Sequence, residues 1–265
     1  MQRPARVLVI AGSDSGGGAG IQGDIKTITA LGGYAATAIT AITVQNTKGV
    51  SHSHATPPEI VAAQISAVLG DIGADAIKTG MLVSAAVVRA VADALTNYAE
   101  IPLVVDTVMT AKGGCALLDD TGVDALENLL FPRATLITPN IPEAERLTGR
   151  SIANPEDMIA AAEQLRRSGA RAVLVKGGHL AGDIVTDVLV EESSVYRFSD
   201  RRLPNRSTHG TGCALASAIA TEIAQGMPLA SAVEIARGFV RGAIASGLEF
   251  GQGIGPINHL HVIGK

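Results

Sequence analysis

Only two of the 265 residues are cysteine, and what is scarce in this chain narrows its function first. Cys115 and Cys213 lie far apart and match neither a disulfide framework nor a zinc spacing, so a reducing, cytoplasmic setting is expected. No run of about 18 apolar residues occurs, so no membrane span is expected. Arg3 and Arg6 before Val7-Leu8-Val9-Ile10 superficially resemble a signal peptide, but the apolar run is too short and Asp14 interrupts it. A formal net charge of -4 provides no basic field to offset phosphate repulsion, which argues against nucleic acid as the main partner. Arg201, Arg202 and Arg206 read as a solvated surface cluster. His52 and His54 fall in a polar loop, His179 beside glycines and His259 and His261 near the C-terminus, and they form no metal-ligand constellation. There is no linker rich in Pro, Gly or Ser and no fixed-period repeat, so one domain over residues 1–265 is expected.

With 47% hydrophobic and 17% charged residues, the chain is globular rather than disordered. Short β-branched runs alternate with alanine-rich segments. Strands are expected at Val7–Ala11, Tyr34–Val44, Ala76–Thr79, Leu103–Thr107, Thr135–Thr138, Ala172–Lys176 and Val185–Val190. Val195–Ser199 reads as an antiparallel hairpin partner of the last. Helices are expected over Gly20–Leu31, Pro57–Leu69, Ala85–Tyr98, Pro155–Arg167, Thr211–Gln225 and Leu229–Ser246. The alternation implies an α/β fold with a mostly parallel sheet covered on both faces. Ligands of such sheets sit at the carboxyl ends of the strands, so the polar and glycine residues there are the candidates.

Several motifs fall at those ends. Gly18-Ala19-Gly20-Ile21-Gln22-Gly23 formally matches a dinucleotide fingerprint. It stands away from the first strand end, however, and no acidic residue for a ribose follows between Asp24 and Glu59. Asp24 suits a helix first turn in any case. There is no G-x-x-x-x-G-K-[ST] P-loop and no G-x-S-x-G nucleophile elbow. Thr208-His209-Gly210-Thr211-Gly212-Cys213 reads as a glycine turn feeding a helix, an arrangement that binds anions through unpaired N–H groups and should lower the pKa of Cys213. The alternative is a tight loop with a packed thiol. Lys176, at a strand end, is either a point charge for a polyphosphate or a solvated end. Asp106, Asn140 and Glu143 supply oxygen donors suited to Mg²⁺. Asn140 and Glu143 also resemble a capping box, and the two roles are compatible.

Taken together and in order, Ala11–Gly20, Val44–Thr47, Lys78–Leu82, Asp106–Met109, Thr138–Glu143, Val175–His179, Thr208–Cys213 and Gly255–His259 resemble the hydroxymethylpyrimidine/phosphomethylpyrimidine kinases of thiamine biosynthesis. These are members of the ribokinase-like superfamily. The resemblance covers nearly the whole chain. It implies a three-layer α/β/α ribokinase-like fold with a mostly parallel central sheet, a homodimer, and ATP and Mg²⁺ as co-substrate and cofactor. The implied reaction phosphorylates 4-amino-5-hydroxymethyl-2-methylpyrimidine and then its monophosphate. By position, Gly12, Asp24, Gln45, Met81 and Val108 would contact the pyrimidine. Asp106, Asn140 and Glu143 would organise Mg²⁺, partly through water. Asp106, Lys112, Lys176, Thr208 and Thr211 would face ATP, with Lys112 in a phosphate-covering loop. Gly210, Gly212 and Cys213 would be catalytic, Cys213 as the base that takes the hydroxyl proton. Thr107 stands where the family often has proline and Gly23 where alanine is usual, changes expected to loosen loops. The rivals are a pyridoxal kinase of the same superfamily and a non-catalytic vitamin-binding module.

Overall fold

The computed structural model describes residues 3–110, 114, 116–205 and 207–263. Successive residues of the first strand dictate the architecture. In β1 (Arg6–Asp14), Val7, Val9 and Ala11 face one side and Leu8 and Ile10 the other, and all five are buried. A strand with two apolar faces needs a covering layer on each side. β1 pairs in parallel with β2 (Tyr34–Asn46) on one side and with β4 (Ala76–Thr79) on the other. Beyond β4 follow β5 (Leu103–Val105), β6 (Leu136–Ile137) and β7 (Val173–Val175), all parallel. Antiparallel strands complete both edges: β3 (Gly49–Ala55) beside β2, and the hairpin β8 (Ile184–Val190)–β9 (Val195–Arg201) beside β7. The described residues thus form a nine-stranded sheet in the order β3-β2-β1-β4-β5-β6-β7-β8-β9.

One face carries α1 (Gly20–Ala30), α7 (Thr211–Ala224) and α8 (Leu229–Ala245). The other carries α2 (Pro58–Asp71), α3 (Ala85–Ala94), α4 (Asp120–Leu129), α5 (Ile141–Thr148) and α6 (Pro155–Arg167). α7 is the central helix of its layer, packed on β1, β4 and β5 and flanked by α1 and α8. Its run Ala214, Ala216, Ser217, Ala218 and Ala220 is fully buried. Small side chains let this helix approach the sheet closely, which brings its N-terminus to the strand ends. Among the described residues no helix is long and apolar enough to cross a membrane.

The mostly parallel sheet covered on both faces and the β8–β9 hairpin match the sequence expectations. Three details differ. His52 and His54 are not in a loop but on β3, opposite Val44 and Ile42. The side chains of residues 51–55 are all exposed, so this edge strand carries no alternation that could announce it. α4 was not foreseen, because Gly122 interrupts its pattern; Asp119 caps it through Gly122 N–H at 2.7 Å. The helix from Ala85 stops at Ala94, and a separate 3₁₀ turn follows at Thr96–Tyr98.

Candidate active site

The chain leaves β1 toward β2 on one side and later reaches β4 on the other, so the carboxyl end of β1 is a topological switch point, where open α/β sheets bind ligands. A cavity of about 800 Å³ lies there and extends along the strand ends toward β8 and α8. Gly12, Gln45, Met81, Val108, Asp106, Asn140, Glu143, Lys176, Thr208, Gly210, Thr211, Gly212 and Cys213 all line it. Residues from seven separate segments therefore converge. Lys112 lies outside the described residues.

The loop between β1 and α1 is built on one carboxylate. Asp14 accepts from the N–H groups of Gly16 (2.7 Å), Gly18 (3.1 Å) and Ala19 (2.8 Å), and its Oδ2 lies 2.9 Å from His209 Nε2. Burial pushes this carboxyl up, but the hydrogen bonds from His209, Ala19 and Gly16 outweigh that and hold it below the usual range. Gly12 lies against Met81, whose Cε would have to move aside for a Cβ there, at 2.5 Å. Asp14, at the end of β1, is among the strand-end candidates, whereas the sequence assigns His209 no role of its own. Asp14 lies six residues before α1; His209, 195 residues away, becomes its partner only in the fold.

On the opposite wall Gly210 adopts φ +87° and starts α7; a Cβ there would lie 1.8 Å from Gly18 O. Glycine is therefore required twice over, by conformation and by approach. α7 has no side-chain cap, and its first intrahelical bond is Ala214 N–H to Gly210 O. The N–H groups of Gly212 and Cys213 are left facing the cavity, a site for anionic oxygens.

Cys213 differs from expectation. Its thiol is pushed up to about 11 rather than down, chiefly by burial, with the Asp24 and Asp106 carboxylates adding to the rise against the opposing charge of Lys78. The helix terminus does not offset dehydration in a site with two carboxylates close by.

Two lysine–aspartate pairs flank this thiol. Lys78 Nζ lies 3.0 Å from both oxygens of Asp24, whose Oδ1 also accepts from Ser217 at 2.7 Å. Both side chains are 0% exposed. Burial works against the Lys78 ammonium, but Asp24 and then Cys213 hold its pKa above the ordinary value. Asp24 thus does not reach the cavity, and the expected direct contact with substrate is not made. Its carboxyl neutralises Lys78, which does line the cavity floor. Ser217 lies four residues after Cys213 on α7, so one helix face presents both groups.

The second pair is Lys176 Nζ to Asp106 Oδ1 at 2.9 Å, with Thr138 Oγ1 donating to the same oxygen at 2.9 Å. Burial raises the Asp106 carboxyl, but Lys176 and Lys78 together bring it below the usual range. Gly212 sits against both partners: a Cβ there would be 3.6 Å from Lys176 Nζ and 3.8 Å from Asp106 Oδ2. Lys176 is therefore a site residue and not a solvated strand end.

Asn140 and Glu143 form the expected capping box of α5, Asn140 Oδ1 accepting from Glu143 N–H at 3.0 Å and Glu143 Oε2 from Asn140 N–H at 2.9 Å. Glu143 Oε2 also accepts from Thr107 Oγ1 at 2.9 Å. Thr107 therefore fastens its loop to α5, contrary to the expected loosening, because its hydroxyl supplies a bond that proline lacks. Gly23 likewise tightens rather than loosens: a Cβ there would come within 2.9 Å of Gly18 O.

Comparison with known proteins agrees with this geometry. The family model for phosphomethylpyrimidine kinase matches residues 14–258. A hydroxymethylpyrimidine/phosphomethylpyrimidine kinase of Rhizobium meliloti is 48% identical, covering 97% of each chain. A thiamine biosynthesis bifunctional protein of Geobacter sulfurreducens is 53% identical over 96% of this chain, which spans only 52% of that protein's length. Among solved structures, the pyridoxal kinase of Bacillus subtilis in an ADP complex superposes with a TM-score of 0.92 at 32% identity, over 99% of this chain and all of that one. The fold is shared with both vitamin kinases, while sequence identity is higher to the pyrimidine enzymes. The chain belongs to the phosphomethylpyrimidine kinase family.

Proposed function

We propose that this chain, acting as a single cytoplasmic kinase domain within a homodimer, transfers the γ-phosphoryl of ATP to 4-amino-5-hydroxymethyl-2-methylpyrimidine and then phosphorylates the monophosphate to the diphosphate. The observation that carries this reading is the arrangement around the start of α7. Unpaired N–H groups at Gly212 and Cys213, the Lys176 ammonium and the Asp106 carboxylate meet in one cavity with the polar amide of Gln45.

In the transfer, the hydroxymethyl oxygen bonds to the γ-phosphorus while the bond from that phosphorus to the β–γ bridging oxygen breaks. Such a transfer needs in-line positioning and charge stabilisation more than covalent help from the protein. The N–H groups of Gly212 and Cys213 stabilise the equatorial oxygens, and Lys176 neutralises the charge that gathers on the leaving ADP. Thr208 and Thr211 border the same turn and face the phosphates. Gln45, Gly12, Met81 and Val108 hold the ring so that its hydroxymethyl group points at the turn. Cys213 can accept the hydroxyl proton only as its thiolate, a small fraction of the resting protein with the thiol near 11, so positioning supplies most of the rate.

One oxygen of each acidic side chain, Asp106 Oδ2 and Glu143 Oε1, makes no hydrogen bond among the described residues, and hard oxygen donors of this kind fit Mg²⁺. Asn140 orients Glu143 through the capping box. Mg²⁺, when bound there, supplies charge neutralisation to the β- and γ-phosphates.

The deciding measurement is ATP consumption with the pyrimidine alcohol, its monophosphate and pyridoxal side by side. Turnover that depends on pyrimidine and Mg²⁺ supports the reading, a strong preference for pyridoxal replaces it, and no turnover of any of the three ends it. Cys213→Ala is expected to lower turnover roughly 10²-fold or more; near-normal turnover would remove the proton-accepting role.

A further inference from the structure

His209 is a polar side chain at the pyrimidine end of the cavity to which the proposed reaction gives no task. Its ring has little freedom. The backbone N–H donates to Gly255 O, the carbonyl accepts from Ile257 N–H, and a Cβ at Gly18 would meet the ring at 2.5 Å, so the imidazole lies against the glycine loop. One ring nitrogen, Nε2, lies 2.9 Å from Asp14 Oδ2 and 3.3 Å from the atom placed as the Gln45 amide nitrogen, Nε2. The atom placed as the amide oxygen, Oε1, lies 3.2 Å from Thr43 Oγ1.

Donor and acceptor counting orders this cluster. Asp14 is ionised and can only accept, so His209 Nε2 carries a proton and gives it to Asp14 Oδ2. A nitrogen used in this way has no lone pair for an amide NH₂, so the two ends of the Gln45 amide are exchanged relative to that placement, with the carbonyl oxygen toward the imidazole. At the other terminus, the single proton of Thr43 Oγ1 goes to Ser13 O at 2.9 Å, which leaves that hydroxyl an acceptor and calls for the amide NH₂. Both neighbours require the same orientation.

We propose that His209, held by Asp14, is a specificity-determining residue that together with Thr43 locks the Gln45 amide, so that a ring in the cavity meets a carbonyl oxygen and an NH₂ group in one fixed order. This rests on the reading that Gln45 contacts the ring edge of the substrate. The chemistry of the two candidate rings makes that order decisive. Beside the carbon that bears the hydroxymethyl group, the pyrimidine carries an amino donor and then a ring-nitrogen acceptor. Pyridoxal superposed on the same group carries a formyl acceptor and then a hydroxyl donor. The sequence of donor and acceptor is reversed. A freely rotating amide serves either ring; a locked one serves the aminopyrimidine and leaves unpaired polar groups against pyridoxal.

The test is the ratio of kcat/KM for the pyrimidine alcohol to that for pyridoxal. His209→Phe keeps the flat ring against Gly18 and removes the proton donor, while Asp14 retains three N–H donors. The ratio is expected to fall at least about 10-fold. In a Gln45→Ala background the same change should shift it less than about twofold, because no amide remains to be held. Should His209→Phe fail to fold, Thr43→Val releases the other terminus and should move the ratio in the same direction. Equal losses for both rings, an unchanged ratio, or the same shift in the Gln45→Ala background would overturn the proposal. The lock is also read without turnover: the Gln45 side-chain NH₂ in ¹⁵N-labelled protein should exchange faster in Thr43→Val, and unchanged exchange counts against it. A wild-type protein that leaves the pyrimidine alcohol untouched while that exchange does accelerate would end the functional reading and keep the lock.

Discussion

Two lysine–aspartate pairs border the same cysteine, yet they are built for opposite purposes. Lys78 and Asp24 bond through both carboxylate oxygens, with Ser217 on one of them, and water reaches neither side chain. Lys176 and Asp106 share a single oxygen; Lys176 retains 14% exposure, and Asp106 Oδ2 is left toward the cavity. A pair with every acceptor used can only set the field around its neighbours. A pair with an unused oxygen and a reachable ammonium can still take a phosphate or a cation. The difference follows from where the lysines sit: Lys78 lies inside β4 beneath α7, and Lys176 is the residue that follows β7.

The comparison breaks most readily at the buried pair. Lys78→Met strands the Asp24 carboxylate in the core near Asp106, and breaking a buried pair in this way costs about 3–5 kcal/mol. Urea denaturation should show that loss, and a variant as stable as wild type would mean that Asp24 simply takes up a proton at no cost. Lys176→Met should invert the pattern. It removes one charged hydrogen bond beside a cavity, a stability loss of about 1–2 kcal/mol, but kcat should fall roughly 10²–10³-fold. If Lys176→Met unfolds more readily than Lys78→Met, the assignment of roles is reversed. The smallest effect sharpens the field that both pairs exert on Cys213. With the thiol near 11, the reactive thiolate fraction is small at neutral pH and grows about tenfold per pH unit up to that value. Iodoacetamide labelling at Cys213, followed by mass spectrometry of its peptide, should accelerate accordingly; a rate already level by pH 8 would show that the N-terminus of α7 prevails after all.

How far the site was legible depends on how each residue signals itself. Asp106, Lys176 and the Asn140–Glu143 box follow short apolar runs, so their place at strand ends can be read from local pattern. Gly210 announces a turn because the helix that follows is unmistakable. Lys78 gives no such signal: a lysine inside a strand reads as an end residue until Asp24, 54 positions earlier, is found beneath it. The same holds for His209 and Asp14. The Cys213 thiol was misjudged because a helix N-terminus is a local feature, whereas burial and the carboxylates that oppose it arrive from three other elements. β3 escaped because an edge strand exposed from Ser51 to Ala55 has no face to bury there and so no period.

By itself the sequence determined the alternating order of strands and helices, the two apolar faces of the sheet and the set of groups delivered to its carboxyl edge, because these depend on side-chain periodicity and on turns a few residues long. Only the tertiary structure decided which of those groups would be joined, which would stay open to the cavity and what charge each would hold. Pairing and dehydration are set by neighbours that are remote in the chain, and no local pattern encodes them.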